Sequence, residues 1–493
     1  MVVTQSAILF LSTSKKTFSV DSDKPLQHSF RLILFVAIIV SCLSFIKTDF
    51  SIGNFKAKKI DFFSDLKTKP VKKIKKIAPL PAPPAKDSLA KKAGVLMFEQ
   101  YEGDTSTEWK HFFAKLQRAE KGDKTVVRIA WFGDSLIEGD IITQDVRNEL
   151  QKKFGGKGVG FVPITTHVPG FRQTIGWTFS ENWKTYSLTD SIKHKVPYGL
   201  YGQVYVPRNM RGVTDSVAIE KEASKIKYSG VYSTTLNGLS PLYNVSLLYS
   251  RADSSDYILY KLNNGAEQKM ELKSGDKINR LTINQNNPIN SIEVRFVPQD
   301  TLFVYGFSIE SGKGILVDNY SLRGSSGIHL SGVKNNVLSQ IQQQLDYDLI
   351  VLQYGVNVAS EKTDDYSWYS RSITKTINYL ETIFTNTPIL IVGCSDRSIK
   401  QDGNYVTMPT IPSFIASQRE TASNTHSSFW DLFTAMGGEG SMIKMADAKP
   451  ALANKDYTHF KASGGKVIAN LFVQSLLFEY DWYLSQQENK KPL

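Results

Sequence analysis

Val126-Val127-Arg128-Ile129-Ala130-Trp131-Phe132-Gly133-Asp134-Ser135-Leu136 is the stretch that decides the fold. Its first seven residues are mostly apolar and β-branched, with apolar side chains on both alternate faces. A strand of that kind is covered on both sides, as in a parallel sheet flanked by helices. Gly133-Asp134-Ser135 turns out of it, and a helix is expected over 141–154, closed by Gly155-Gly156.

The same alternation continues downstream. Strand-like runs begin at Gly314, Leu349, Pro388 and Ser428, and helical patterns cover 333–345, 366–385, 412–425 and 462–483. A further helix is expected from Ser106-Thr107-Glu108, where a hydroxyl can cap free N–H groups, with Trp109, Phe112, Phe113 and Leu116 on one face. Strands alternating with helices give a three-layer α/β/α architecture with a parallel sheet. Between 173 and 310 the texture changes to short alternating runs separated by Asn, Gly, Asp and Ser clusters, such as Asn263-Asn264-Gly265. No helix is expected there, and the pattern suggests an inserted all-β sandwich or jelly-roll.

The chain has 493 residues, 41% apolar and 22% charged, which is the composition of a globular protein of two or three domains. It excludes a wholly disordered chain, a collagen, a disulfide miniprotein and a polytopic membrane protein. The net charge of +12 is not a nucleic-acid signal: twelve lysines and three aspartates between Lys56 and Lys92 supply +9 of it. That segment, which includes a Pro-rich run near residue 80, reads as a stiff solvated tether. Before it lies the apolar run 32–46, bracketed by Arg31 and Lys47. It is shorter than the ~20 residues of an ordinary spanning helix. Three outcomes stay open: an uncleaved anchor, which is favoured, a cleaved signal, or a lipoprotein signal at Cys42. The division expected is 1–31 cytoplasmic, 32–46 membrane segment, 47–93 tether, 94–172 with 311–493 the α/β domain, and 173–310 the insert. The protein would then sit at the inner membrane with its folded part in the periplasm, or be secreted or lipidated. The other cysteine is Cys394, and no structural disulfide with Cys42 is expected.

Ligands of open α/β sheets bind at the carboxyl ends of the strands. Ser135 stands at the first such end. Arg323-Gly324-Ser325-Ser326-Gly327 follows the second strand, and Gly355-Val356-Asn357 the third. A serine needs a base, because its hydroxyl is a weak nucleophile. Of the seven histidines, His28 precedes the membrane segment, His111 lies on the first helix and His194 in the insert. His167, His329 and His426 have no fixed partner in sequence. His459 has Asp456 three residues earlier, a spacing that lets the carboxylate hold the far ring nitrogen while the near one faces Ser135. No His/Cys cluster has metal-ligand spacing, so no metal and no cofactor are expected.

Gly133-Asp134-Ser135-Leu136, Gly324, Gly355-x-Asn357 and Asp456-x-x-His459 resemble, in order, the four blocks of the SGNH, or GDSL, hydrolase superfamily. The resemblance implies Ser135 as nucleophile, His459 as base and Asp456 as its orienter. It implies an oxyanion hole of the Ser135 N–H, the Gly324 N–H and the Asn357 side chain. The third block departs from the usual Gly-x-Asn-Asp, with Val358 in place of the Asp. A closer likeness, carried by Glu138-Gly139-Asp140, Gly158-Val159-Gly160-Phe161 and Ala435-Met436-Gly437-Gly438, is to the periplasmic peptidoglycan O-acetylesterases and their relatives. These also lack that Asp and carry a β-rich, carbohydrate-binding-like domain in the same place. The activity implied is a serine esterase that removes O-acetyl groups from a cell-envelope glycan. Alternatives are an O-acetyltransferase or a deacetylase of another polysaccharide with the same triad, or a non-catalytic glycan-binding protein. Arg323, His329 and Trp183 are candidate substrate contacts. Partners expected are the acetylated glycan and the membrane, with no nucleic acid.

Overall fold

The structure, a computed structural model, describes residues 31, 32, 34–36, 50–52, 55–57, 78–101, 106–168 and 170–488. The chain divides into two units, residues 1–73 and 74–493. In the first, residues 31, 32 and 34–36 are helical, and Phe50–Ile52 pairs with Phe55–Ala57 in a short hairpin. Most of the apolar run, with Cys42, and the lysine-rich residues 58–77 lie outside the described residues. Among the described residues no helix is long and apolar enough to cross a membrane.

The second unit is built on a parallel sheet of five strands. They are β1 (Val126–Gly133), β2 (Gly314–Ser321), β3 (Leu349–Gln353), β4 (Ile389–Val392) and β5 (Ser428–Trp430), in the order β2-β1-β3-β4-β5. The chain therefore passes from β1 to one neighbour and later returns to the other, so the strand order reverses at β1. A ligand crevice is expected at that point, and Ser135 stands there. The period of two in β1 explains its sequence. Val127, Ile129 and Trp131 face one apolar core, while Ala130 and Phe132 face the other.

The longer helices are α1 (Pro84–Ala93), α2 (Thr107–Glu120), α3 (Thr143–Phe154), α4 (Asn335–Leu345), α5 (Ser367–Glu381), α6 (Ile411–Asn424) and α7 (Ala462–Glu488). Ser106 caps α2, its Oγ accepting from Trp109 N at 3.4 Å. α1 occupies the last ten residues of the stretch expected to be tether. Its Lys86 is buried against Glu479 of α7 at 2.7 Å, so this lysine belongs to the folded unit and not to a solvated run.

The strands of the inserted region pair antiparallel throughout. One sheet has the order Gln268–Glu271, Tyr257–Leu262, Ser291–Val297, Ser224–Ser229, Gly176–Phe179. The other runs Asn279–Asn284, Asn244–Ser250, Phe303–Glu310, Gln203–Val206, Lys184–Ser187, with Gly160–Val162 paired to Phe303–Glu310 as well. The sandwich thus recruits residues ahead of 173. A short helix, Ser216–Glu222, capped by Asp215, interrupts the strands where none was expected. Seven residues are too few to show helical periodicity in sequence.

Phe303–Glu310 fuses the sandwich to the α/β layers. A bulge between Val304 and Gly306 shifts its alternation. Val304, Phe307 and Ile309 enter the sandwich core, while Phe303 and Tyr305 join the core they share with the parallel sheet. Ser308 and Glu310 also face that sheet, where they meet the buried Arg128. Arg128 binds Asp318 of β2 at 2.7 Å, and its other guanidinium nitrogen pairs closely with Glu310. Tyr347 Oη donates to the same Asp318 oxygen at 2.6 Å, and Arg280 binds Glu310 at 2.6 Å. The insert is therefore not a loosely strung module.

Candidate active site

Four loops meet at the carboxyl end of β1. The first carries Asp134 and Ser135. Asp134 is fully buried, and its carboxylate accepts from Leu136 N at 3.0 Å and from Gly355 N, beyond β3, at 3.2 Å. Desolvation pushes its pKa up to about 6, against the lowering effect of these backbone bonds and of nearby His459. Asp134 therefore orients the turn and also ties it to the loop that carries Asn357.

Ser135 is half-buried, with Oγ 2.9 Å from His459 Nε2. His459 Nδ1 lies 2.8 Å from Asp456 Oδ2. Asp456 Oδ1 accepts the main-chain N–H groups of Thr458 and His459, each at 3.0 Å. Partial desolvation of Asp456 raises its pKa. The bonds from the His459 main chain and ring and from Thr458 outweigh it and hold the group below the usual carboxylate value. Ser135, His459 and Asp456 thus form one continuous chain of hydrogen bonds.

The candidate oxyanion donors lie on the loops that follow β1, β2 and β3. Among the described residues no acceptor takes the Ser135 or the Gly324 N–H. Gly324 has φ +76°, a left-handed conformation that a side chain would strain. Asn357 Nδ2 donates to Ser325 O at 3.1 Å, which fixes the amide and leaves its second N–H free to donate elsewhere. α3 begins only at Thr143, after a 3₁₀ turn over Glu138–Asp140, so its N-terminus does not sit at Ser135. The macrodipole fades within one turn. Stabilisation falls to the individual donors.

The structure places the three candidate substrate contacts in different surroundings. Trp183 is buried in the sandwich core, 9% exposed, edge-on to Phe296, with Nε1 donating to Lys225 O at 3.2 Å. It is a packing residue and offers no face to a glycan. His329 bonds through Nδ1 to Ser325 Oγ at 2.8 Å and packs on Gly202 of the sandwich. Burial, then Lys193, pushes its pKa down to about 4. It braces the loop that holds Asn357 and Gly324. Arg323 is 60% exposed at its side chain and pairs closely with Glu138, three residues after Ser135. No cluster of metal ligands occurs among the described residues.

Sequence reading missed a hairpin after β4, Ser398–Gln401 with Asn404–Thr407. Its signal was present: Asp402-Gly403 between alternating residues, both with positive φ as a type I′ turn requires. Tyr405 of this hairpin stacks on Tyr457, ring centroids 3.9 Å apart. Tyr457 lies inside the Asp456–His459 loop at φ +51°, a strained value for a tyrosine.

Among solved structures, a peptidoglycan O-acetylesterase superposes with a TM-score of 0.61 at 21% identity, over 78% of this chain and 99% of that one. The chain has the SGNH-hydrolase fold. A family two carbohydrate esterase from Cellvibrio japonicus matches at 10% identity over 62% of this chain and 99% of that one, with a TM-score of only 0.24. No protein-family model and no curated protein matches the sequence. Within the SGNH fold, the four sequence blocks fall on the four loops just described. Val358, in place of the usual Asp, is buried.

Proposed function

We propose that the protein is a serine esterase that removes O-acetyl groups from a cell-envelope glycan, with peptidoglycan as the substrate. The observation that carries this reading is the unbroken Asp456–His459–Ser135 chain, 2.8 and 2.9 Å, beside two unengaged N–H groups and the Asn357 amide. Ser135 Oγ attacks the acetyl carbonyl carbon as its proton passes to His459 Nε2. The C=O electron pair moves onto oxygen, where the Ser135, Gly324 and Asn357 donors meet it. Such donors are typically worth ~3 kcal/mol each because they act on charge present only in the transition state. Collapse expels the sugar oxygen, which takes the proton from Nε2, and leaves acetyl-Ser135. Water, deprotonated by His459, then releases acetate. Asp456 keeps the ring in the required tautomer and balances the imidazolium.

The peptidoglycan assignment is supported by the superposition on a peptidoglycan O-acetylesterase over nearly all of that chain. Acetate release from O-acetylated peptidoglycan, with O-acetylated xylan in parallel, tests both levels. Turnover of neither defeats the esterase reading. Turnover of xylan alone defeats the substrate. The apolar run before Lys47 supports an inner-membrane anchor with the esterase in the periplasm. Protease digestion of the intact chain in spheroplasts tests that topology.

A further inference from the structure

A cleft of 310 Å³ opens at Glu138, three residues after Ser135 in the chain. Its floor is the turn after the nucleophile, Glu138, Gly139 and Asp140, and one wall is Leu322 and Arg323, immediately ahead of Gly324. Glu138 N donates to Ser135 O at 3.3 Å, so the cleft begins one turn from the nucleophile. The opposite wall belongs to the sandwich and includes Trp177, Thr185 and Gln203. The cleft is thus formed jointly by both halves of the fold, within the size range of small-ligand sites.

Its chemistry is specific. Phe171 stands at the cleft 45% exposed, an unusual position for a phenylalanine, yet it is held in place. A Cβ at Gly139 would come within 2.3 Å of the Phe171 ring, so the ring lies directly on that glycine. Trp177 is half-buried, anchored by Nε1 to Ile164 O at 3.0 Å. The charges of the floor are already engaged: Glu138 with Arg323, and Asp140 with Arg147 at 2.8 Å and Arg172 at 3.3 Å. Around them stand hydroxyl and amide groups, among them Thr165, Thr185 and Gln203, and the Asp190 carboxylate. Aromatic faces beside hydroxyls, an amide, the Asp190 carboxylate and the His167 ring suit a pyranose ring, with apolar C–H faces and a rim of hydroxyls. They suit neither a phosphate nor a lipid tail.

We propose that this cleft is a saccharide subsite. It receives the sugar ring adjacent to the one whose acetyl group reaches Ser135, with Phe171 and Trp177 as its apolar faces. The proposal rests on the glycan-esterase reading of the triad. Contacts remote from the reacting bond act only on substrates long enough to make them.

Two variants of the full-length protein test it. Phe171→Ala removes an exposed platform, and Thr185→Trp fills the cleft from a solvent-exposed strand position. The readout is the ratio of kcat/KM on O-acetylated glycan strands to kcat/KM on 4-nitrophenyl acetate. That ratio is expected to fall at least tenfold in each. A second arm measures equilibrium binding of de-O-acetylated glycan strands to Ser135→Ala, with and without Phe171→Ala or Thr185→Trp. Weakened binding supports the subsite. An unchanged ratio with unchanged binding overturns it and leaves the esterase reading standing. If the wild type cleaves neither ester, the esterase reading falls, and the binding arm still decides the cleft.

Discussion

Asp456→Asn separates orientation from mere presence in this triad. Asp456 Oδ1 accepts two main-chain N–H groups at 3.0 Å, and Oδ2 faces His459 Nδ1 at 2.8 Å. An asparagine has one oxygen and one NH₂ group. The two backbone donors require the oxygen on their side, so the NH₂ group is forced toward Nδ1. Nδ1 must then accept, the ring proton moves to Nε2, and Nε2 becomes a donor toward Ser135 Oγ. The base is thereby disarmed without moving an atom. The comparable change in a serine protease costs about 10⁴ in kcat, or ~5.5 kcal/mol of barrier. We expect a loss of that order in acetate release at pH 7, with KM little changed. The melting temperature should stay close to wild type, because the backbone donors keep their acceptor. A variant within tenfold of wild-type kcat, or one whose loss lies in KM, refutes the tautomer argument.

Asn357→Ala should lower kcat by about 10²–10³ with KM nearly constant, since its free N–H acts on charge that develops only in the transition state; an effect confined to KM would make it a ground-state contact. Tyr405→Ala removes the stack on Tyr457, worth about 0.5–1.5 kcal/mol, and should lower kcat about 2- to 10-fold, with Tyr405→Phe restoring it. His329 has a folded pKa of about 4, below its unfolded value of 6.5, so the unfolded state binds the extra proton and stability is lost as pH falls through that window. The stability gap between wild type and His329→Gln should therefore narrow by about 2–3 kcal/mol between pH 7 and pH 4.5 in denaturant titrations, and a pH-independent gap would contradict this. Arg128→Ala leaves Asp318 buried without its cation, and Glu310 with Arg280 alone, and should cost about 3–5 kcal/mol in the same assay.

The α/β layers were legible because four of the five strands are buried runs with β-branched residues and most of the helices carry an apolar face, signals that depend on local sequence alone. Ser135, Gly324, Asn357 and the Asp456–His459 pair were legible for a similar reason: each lies at a strand end or on a short loop with fixed spacing. What escaped depends on partners far away in the chain. Trp183 reads as a candidate substrate contact until Phe296, more than a hundred residues on, is placed against it. Lys86 reads as one more tether lysine until Glu479 meets it. His329 has no neighbour in sequence to fix its role, and only the fold brings Gly202 of the sandwich to its ring. The hairpin with Tyr405 is different, because its Asp402-Gly403 turn is a local signal that the strand-and-helix pattern around it obscured.

Arg128 connects these two kinds of information. Its position in a strand otherwise built of Val, Ile, Ala, Trp and Phe is visible in sequence, but its partners are not. Replacing a buried ion network by apolar residues is often neutral or stabilising, so net stability is a weak reason for one here. Directionality is a stronger reason. Arg128 meets Asp318 on β2 and Glu310 on the sandwich strand together, and a one-residue slip of Phe303–Glu310 would turn Ser308 and Glu310 toward the sandwich core. The bulge after Val304 and the Arg128 contacts thus set one register between the two halves of the fold. The wall that carries Trp177, Thr185 and Gln203 belongs to the half so fixed. A cleft whose walls are already in register spends little of a polymer's binding energy on ordering protein, and more of it remains for bringing an acetyl group to Ser135.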